Sequence, residues 1–337
     1  MVATRADVAQ LAGVSPAIVS YVINDSRPVS ERTRQAVLDA VSRLDYTPNP
    51  AARSLRSGVT KSLGLLLPED GNPFFSELAA ALEAAAFARG QVLLLGSAKG
   101  DARIQAQYLR TFVQRGVDGI VIISESLGSD SDSISEELPV VVLDRIESPG
   151  RISTVVADHH GGARLATGHL VEHGRQRVAC VAGPTSVPSA RLRVAGWRQA
   201  LAEAGCAPDE RLLQEAPLTL EGGYRAMIEI IERGSADAVF ISSDIQAIGA
   251  LRACAERGIR VPEDVAVASF DGTEIGRNVV PALTTIQQPI DAIAERTLTV
   301  LLDLIQSSPD RTETHDVLDV TLVRRESCGC RAIGTRS

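Results

Sequence analysis

Six short segments of this 337-residue chain set hydroxyl-binding chemistry directly behind apolar runs or at the start of a helix. They are "GNPFF" (71–75) with Asn72, Phe74 and Phe75, "LDR" (143–145) with Asp144 and Arg145, and "SARLRVAGW" (189–197) with Arg193. "SSD" (242–244) with Ser243, "FDGT" (270–273) with Asp271, and "QQ" (287–288) with Gln288 complete the set. Carboxylates and arginines make paired hydrogen bonds to vicinal hydroxyls, amides fix orientation, and aromatic faces stack on the C–H face of a sugar ring. Any one Asp or Arg at a strand end is usually a solvated charge. Six such segments, at corresponding places in two halves of a chain, argue for a site.

The elements that must carry these side chains are legible from apolar runs. "SLGLLLP", "QVLLLGS", "VDGIVIIS" and "LPVVVLD" alternate with helical stretches at 74–89 and 101–115. A second series, "VACVAG", "DAVFIS", "DVAVASFD" and "LTTIQQP", alternates with helices near 187–205, 223–233 and 243–257. Such alternation predicts parallel sheets with crossover helices, hence an α/β core of two doubly wound lobes. Ligands bind such folds outside the carboxyl ends of the strands, where all six segments fall. The loop "SESLGSDSDSIS" (124–135) reads as solvated.

Other residues with reactive chemistry do not assemble into motifs. His169 and His173 are four apart on a predicted helix, but without a metalloprotease Glu or an obvious third ligand no zinc site is expected. Cys328-Gly-Cys330 offers too few ligands for a closed metal site and lacks CxxC redox spacing. Five cysteines at irregular spacing read as reduced thiols. There is no phosphate-binding Gly loop and no nucleophile elbow, so neither an enzyme nor a bound cofactor is expected. The start lacks a secretory apolar region and no long apolar run follows, so a cytoplasmic protein with no membrane partner is expected.

Charge is uneven along the chain. Residues 1–61 hold eight Lys/Arg against five Asp/Glu, a net of +3, which leaves −11 for the rest of a chain whose total is −8. A basic head on an acidic body suggests that only the head meets a polyanion. In "DVAQLAGVSPAIVSYVIND" (7–25), Thr4 caps a first helix with Asp7, and Val8, Leu11 and Ala12 share its inner face. Gly13 stops that helix, and Ser15 with Pro16 starts a second that buries Ile18, Val19, Val22 and Ile23. Pro16, Ala17, Ser20, Tyr21 and Asn24 then face outward, small enough for a major groove. Ser30 caps a third helix with Val37, Val41 and Leu44 inward. The result is a small all-α helix-turn-helix head. In "YTPNPAARSLRSG" (46–58), two prolines end the third helix and Leu55 stands between Arg53 and Arg56. That segment is either a basic linker or a hinge helix whose leucine wedges into a minor-groove step.

Residues 7–58, together with "VTLVRRESCGC" near the end, resemble the LacI/GalR family of bacterial transcriptional repressors over essentially the full chain. The resemblance implies a helix-turn-helix head (1–47), a hinge (48–61) and a periplasmic-binding-protein-like core (62–337). It further implies a homodimer on a near-palindromic operator in double-stranded DNA. It places Pro16, Ala17 and Tyr21 against bases, and Thr4, Ser15, Ser20, Asn24, Ser30 and Thr33 against phosphates. Ala52, Arg53, Leu55 and Arg56 would form the minor-groove set. Pro-Ala at 16–17 and Tyr21 stand where many relatives carry long hydrogen-bonding side chains, so the resemblance implies DNA binding without specifying the operator sequence. With seven residues after Cys330 there is no heptad tail, and a dimer is expected to go no higher. In the core, Asn72, Phe74, Phe75, Asp144, Arg145, Arg193, Asp271 and Gln288 resemble the sugar-holding set of periplasmic ribose-binding proteins. Ser243 departs from an Asn common there. A pentose-like effector is the first expectation, with a purine, nucleoside or hexose as the alternative. An exported solute-binding protein or an α/β enzyme fits less well, since the first needs no head and the second needs a catalytic constellation.

Overall fold

The computed structural model describes residues 3–47, 58–68, 71–98, 101–123, 138–144, 152–234, 236–306 and 313–330. They fall into two compact units, Met1–Thr60 and Lys61–Ser337.

The first unit holds α1 (Arg5–Ala12), α2 (Pro16–Asn24) and α3 (Glu31–Arg43). Thr4 and Asp7 form a reciprocal capping box, in which Thr4 N–H donates to Asp7 Oδ2 at 2.8 Å and Asp7 N–H to Thr4 Oγ1 at 3.4 Å. Gly13 terminates α1 at φ 67°, a left-handed conformation that costs glycine nothing, and α2 then departs at 101° to α1. Val8, Ala9, Val19, Val22, Val37 and Ala40 make the core of the unit, with Ile23, Val41 and Leu44 half-buried around it. Leu11 departs from its expected inward place and is 41% exposed, while Ala9 is buried. The two-turn helix packs against both α2 and α3, so its buried stripe is set by those neighbours and not by periodicity alone.

The second unit contains two six-stranded sheets. The first has the order β11-β5-β4-β3-β1-β2, all parallel, from β1 (Ser62–Leu67), β2 (Val92–Ser97), β3 (Gly119–Ile123), β4 (Val140–Leu143), β5 (Ser153–Ala157) and β11 (His315–Leu318). The second has the order β12-β10-β9-β8-β6-β7, from β6 (Val178–Ala182), β7 (Leu213–Glu215), β8 (Ala238–Ile241), β9 (Ala266–Asp271), β10 (Thr284–Gln287) and β12 (Thr321–Val323). Only β12 runs antiparallel to its neighbour there.

Helices α4 (Pro73–Ala88) and α11 (Ile290–Gln306) pack together on the first sheet, where Leu78, Leu82, Leu298 and Leu301 join Leu63, Leu65 and Val121 in one buried cluster. Beside the same sheet, α5 (Ala102–Arg115) buries Leu109 and Phe112. On the second sheet, α6 (His159–Glu172) and α7 (Pro188–Glu203) cover one face around Trp197 and Phe270. Helices α8 (Leu220–Arg233) and α9 (Asp244–Glu256) cover the other around Met227 and Ile241. The short α10 (Glu274–Asn278) follows β9.

The chain passes between lobes after β5, after β10 and between β11 and β12. Strand order reverses at β1/β3 and at β6/β8, the switch points beside which α/β folds open a ligand crevice. Among the described residues, no single helix is long and apolar enough to cross a membrane.

Candidate ligand site and nucleic-acid interface

Two strands end in aspartates with unusual backbones. Asp144 follows β4 at φ 60°, and Asp271 ends β9 at φ 115°. Non-glycine residues rarely hold such angles, and in folded proteins those that do cluster at functional sites. Between the two aspartates runs a buried polar chain. His159, the first residue of α6, places Nε2 at 2.9 Å from Asp144 Oδ1, off the line of its N–H. Ser189 donates to Asp144 Oδ2 at 3.3 Å. Arg193 Nε donates to His159 Nδ1 at 3.4 Å, and Nη1 donates to the Ser242 carbonyl while lying 3.6 Å from Asp271 Oδ1. Its guanidinium lies 3.9 Å from the Phe270 ring centre, and Gln288 Nε2 donates to Asp271 Oδ1 at 3.0 Å. Asp144 belongs to the first lobe and its partners to the second, so the chain bridges them. A second bridge runs from Glu274 N–H to Glu77 Oε1 at 3.0 Å.

The electrostatics divide the carboxyls. Burial raises Asp144, but His159, Arg193 and Ser189 outweigh it and hold the carboxylate below its ordinary value. His159 is pushed down by burial against the pull of Asp144, which favours the uncharged imidazole at neutral pH. Burial also dominates at Asp271. With Asp244 and Asp144 nearby it outweighs Arg193 and lifts the carboxyl to about 8, which leaves mostly the neutral acid at pH 7. Asp271 Oδ2 and Ser242 Oγ are buried without a hydrogen-bond partner. Such atoms are costly unless something pairs with them, and both can meet ligand hydroxyls.

Of the residues expected here, Asp144, Arg193, Asp271 and Gln288 come together, while Arg145 lies outside the described residues. Asn72 caps α4, accepting from Phe74 N–H at 3.1 Å. Phe74 is 3% exposed within the first lobe's core, edge-on to the half-buried Phe75 at 5.4 Å, so any stacking face comes from Phe75. Ser243 is buried as the cap of α9, its hydroxyl engaged with Gln246. Beside it Asp244 accepts from Ser269, Thr285 and twice from Thr273, a carboxyl held in place for packing. His159, Ser242 and Phe270 were missed as site residues. The only signal for His159 was "STVVADHH", a five-residue strand followed by an Asp cap, too short to stand out from its surroundings.

In the head, Pro16, Ala17 and Asn24 are exposed, and Ser20 and Tyr21 are half-buried. Arg27 lies 5.1 Å over the Tyr21 ring. Thr4, Ser15 and Ser30 cap the three helices, with Ser30 Oγ 2.8 Å from Thr33 Oγ1, and Asn24 Nδ2 donates to the Ser20 carbonyl at 2.8 Å. Hydroxyls and free N–H groups at helix starts are where phosphates bind. Ala52, Arg53, Leu55 and Arg56 lie outside the described residues, as does the 124–135 loop.

The histidine and cysteine pairs, each insufficient for a metal when read alone, meet at the opposite end of the second lobe. The four donor atoms of His169, His173, Cys328 and Cys330 lie within 4.8 Å of one another.

A helix-turn-helix unit followed by a two-sheet core, with a polar cleft at its strand ends, defines a DNA-binding regulator with a periplasmic-binding-protein-like core. Residues 4–49 match the model for bacterial regulatory proteins of the lacI family, and 167–328 match the periplasmic binding protein-like domain. The chain is 37% identical to the HTH-type transcriptional repressor PurR of Erwinia tasmaniensis over 328 residues, 96% of both chains. A lac repressor dimer bound to operator and the anti-inducer ONPF superposes with a TM-score of 0.87 at 29% identity, covering 97% of this chain and 99% of that one. The regulator CelR in complex with cellobiose gives 0.74 at 32% identity, covering 96% and 99%. The chain belongs to the LacI family of bacterial transcriptional repressors. It is a DNA-binding repressor and not an enzyme.

Proposed function

We propose that this repressor binds a near-palindromic operator as a homodimer and that a small carbohydrate, pentose-like in size, held between the core lobes sets its operator affinity. The observation that carries the effector reading is the pair of buried, partnerless polar atoms, Asp271 Oδ2 and Ser242 Oγ, set in the Asp144–His159–Arg193–Asp271 chain. Hydroxyls both donate and accept, so a polyol satisfies that set in a way that an apolar ligand does not. A ligand touching both lobes shifts the protein only through its differential affinity for two arrangements, and a coupling of about 1–3 kcal/mol changes operator affinity roughly 5- to 150-fold. Calorimetry on the full chain with ribose, hexoses, nucleosides and free purines, followed by gel shifts with the ligand that binds, tests this reading. Heat with a purine and none with any sugar defeats the carbohydrate assignment.

The purine reading has its own support in the PurR relatives. Against it, the Phe270 face is covered by Arg193, and among the described residues Phe75 is the only half-buried aromatic at the expected stacking position. A planar base would have to displace that guanidinium to be held on both faces.

Two-fold symmetry suits heads that read two half-sites. Sedimentation at micromolar concentration is expected to give a dimer, and a stable tetramer would contradict the proposal. In the hinge, Leu55→Ala is expected to weaken operator binding and reduce bending while leaving the melting temperature of the free protein unchanged. The leucine's role is to wedge a base step whose unstacking costs a few kcal/mol. A variant that still bends operator normally in a circular-permutation assay removes the wedge.

A further inference from the structure

We propose that His169, His173, Cys328 and Cys330 form a closed tetrahedral site for a divalent zinc-type cation that ties the end of the core to α6. His169 Nε2 lies 3.2 Å from Cys328 Sγ and 3.6 Å from Cys330 Sγ, and His173 Nε2 lies 3.4 Å from Cys330 Sγ. With Zn–S near 2.3 Å and Zn–N near 2.0–2.1 Å, the S···N edge of a tetrahedron is about 3.6 Å. The four atoms therefore already stand at roughly the spacing that one central ion requires.

The local structure explains how they meet. His169 and His173 share one face in the last turn of α6 and at its cap, with ring centres 4.5 Å apart. Gly329, at φ 94°, reverses the chain between the two cysteines so that both sulfurs reach that face. Cys328 Sγ accepts from Thr284 Oγ1 at 3.0 Å and from Cys330 N–H at 3.5 Å, the outer hydrogen bonds that orient a thiolate ligand. Two thiolates balance a divalent charge, two neutral imidazoles complete the shell, and this sulfur–nitrogen set selects zinc over magnesium or calcium. His169 and Cys328 are buried while His173 and Cys330 are reachable from solvent, which gives the ion a way in.

The position is separate from the cleft. His169 lies ten residues along α6 from His159, roughly 15 Å at helical rise. Thr284 opens β10, the strand that leads to Gln288 at the ligand site. The cation would thus anchor the far ends of two elements whose near ends line the cleft.

Full-length protein purified under reductant and without chelator should carry one zinc per chain by elemental analysis. Co2+ added to stripped protein should produce tetrahedral d–d bands with a thiolate charge-transfer band, saturating at one per chain. Cys330→Ser and His173→Ala, on the accessible side, should each lower Zn2+ affinity by about 100-fold or more, and Thr284→Val by about 10–100-fold. Cys206→Ser, a thiol outside the cluster, should change nothing. Circular dichroism confirms that each variant is folded. Reduced, folded wild type that takes up no Co2+, or takes it up without thiolate charge transfer, overturns the site. So does a Cys328–Cys330 disulfide persisting under reductant.

Discussion

Asp271→Asn is expected to disconnect the repressor from its effector while operator binding persists. The substitution keeps the shape of the side chain, and its amide oxygen still accepts from Gln288, which now donates to Asp271 Oδ1 at 3.0 Å. What changes is Oδ2, buried without a protein partner: a carboxyl there donates as the neutral acid and accepts once ionised, whereas an amide nitrogen only donates. A ligand hydroxyl that must donate at this position is left facing an N–H, and an unsatisfied buried polar group costs about 1–3 kcal/mol, so effector affinity should fall roughly 5- to 150-fold. The head carries no part of this contact. Gel shifts should therefore show operator affinity unchanged without effector and a response that no longer saturates at the wild-type concentration. Retention of full response would remove Asp271 from the site.

The same variant carries a pH signature whose sign follows from burial. The folded Asp271 carboxyl is lifted to about 8 from an ordinary 3.8, because burial outweighs the nearby Arg193. A raised value means that the folded chain holds a proton that the unfolded chain has released. Its contribution to stability is thus complete below about pH 4 and is lost as pH rises through about 8, at about 1.4 kcal/mol per pH unit within that window. Urea unfolding of the wild type should weaken across that range. The Asn variant should lack this component and overtake the wild type at the alkaline end. Parallel curves for the two proteins would mean that the carboxyl is not held neutral.

The largest loss of stability is expected from Gly249→Ala. Helices α8 and α9 approach so closely that a Cβ at Gly249 would lie 1.9 Å from the Leu220 carbonyl oxygen, and one at Gly223 would lie 2.0 Å from that of Gln246. Both obstacles are backbone, so no rotamer change relieves them, and the helices must part. Separation opens the buried cluster of Met227, Ile230, Ala250 and Ala253 and shifts the start of α9, where Ser243 and Asp244 stand. A cost of about 3 kcal/mol or more is expected, at the upper end of overpacking effects. Gly168→Ala on α6, where a Cβ meets nothing within 4 Å, should instead stabilise by about 0.4–1 kcal/mol. Opposite signs for two identical substitutions in urea melts would establish that contact, and not helix propensity, decides the outcome.

The head was almost wholly legible in the sequence, because its determinants are local. Caps at Thr4, Ser15 and Ser30 and the stop at Gly13 act within a turn of themselves, and all four hold in the fold. The strands that lead to the cleft were equally plain, since a parallel strand buried on both faces must be a continuous apolar run, as β3 and β4 are. Leu11 misled because an amphipathic stripe on a two-turn helix is set by which neighbours it touches.

Beyond these elements, tertiary structure decided what the sequence could not. His159 meets Asp144 only because the chain leaves the first sheet after β5 and starts a helix on the second. Cys328 meets His169 across 159 residues only because β12 returns to the second sheet and ends beside α6. The glycines of α8 and α9 matter only because two helix backbones touch there. Propensity, capping and periodicity are interactions between residues a few positions apart, so the sequence by itself determined the elements and the chemistry each carries. Which chemistries stand side by side depends on crossovers between lobes, and that pairing is settled by the packing of whole layers.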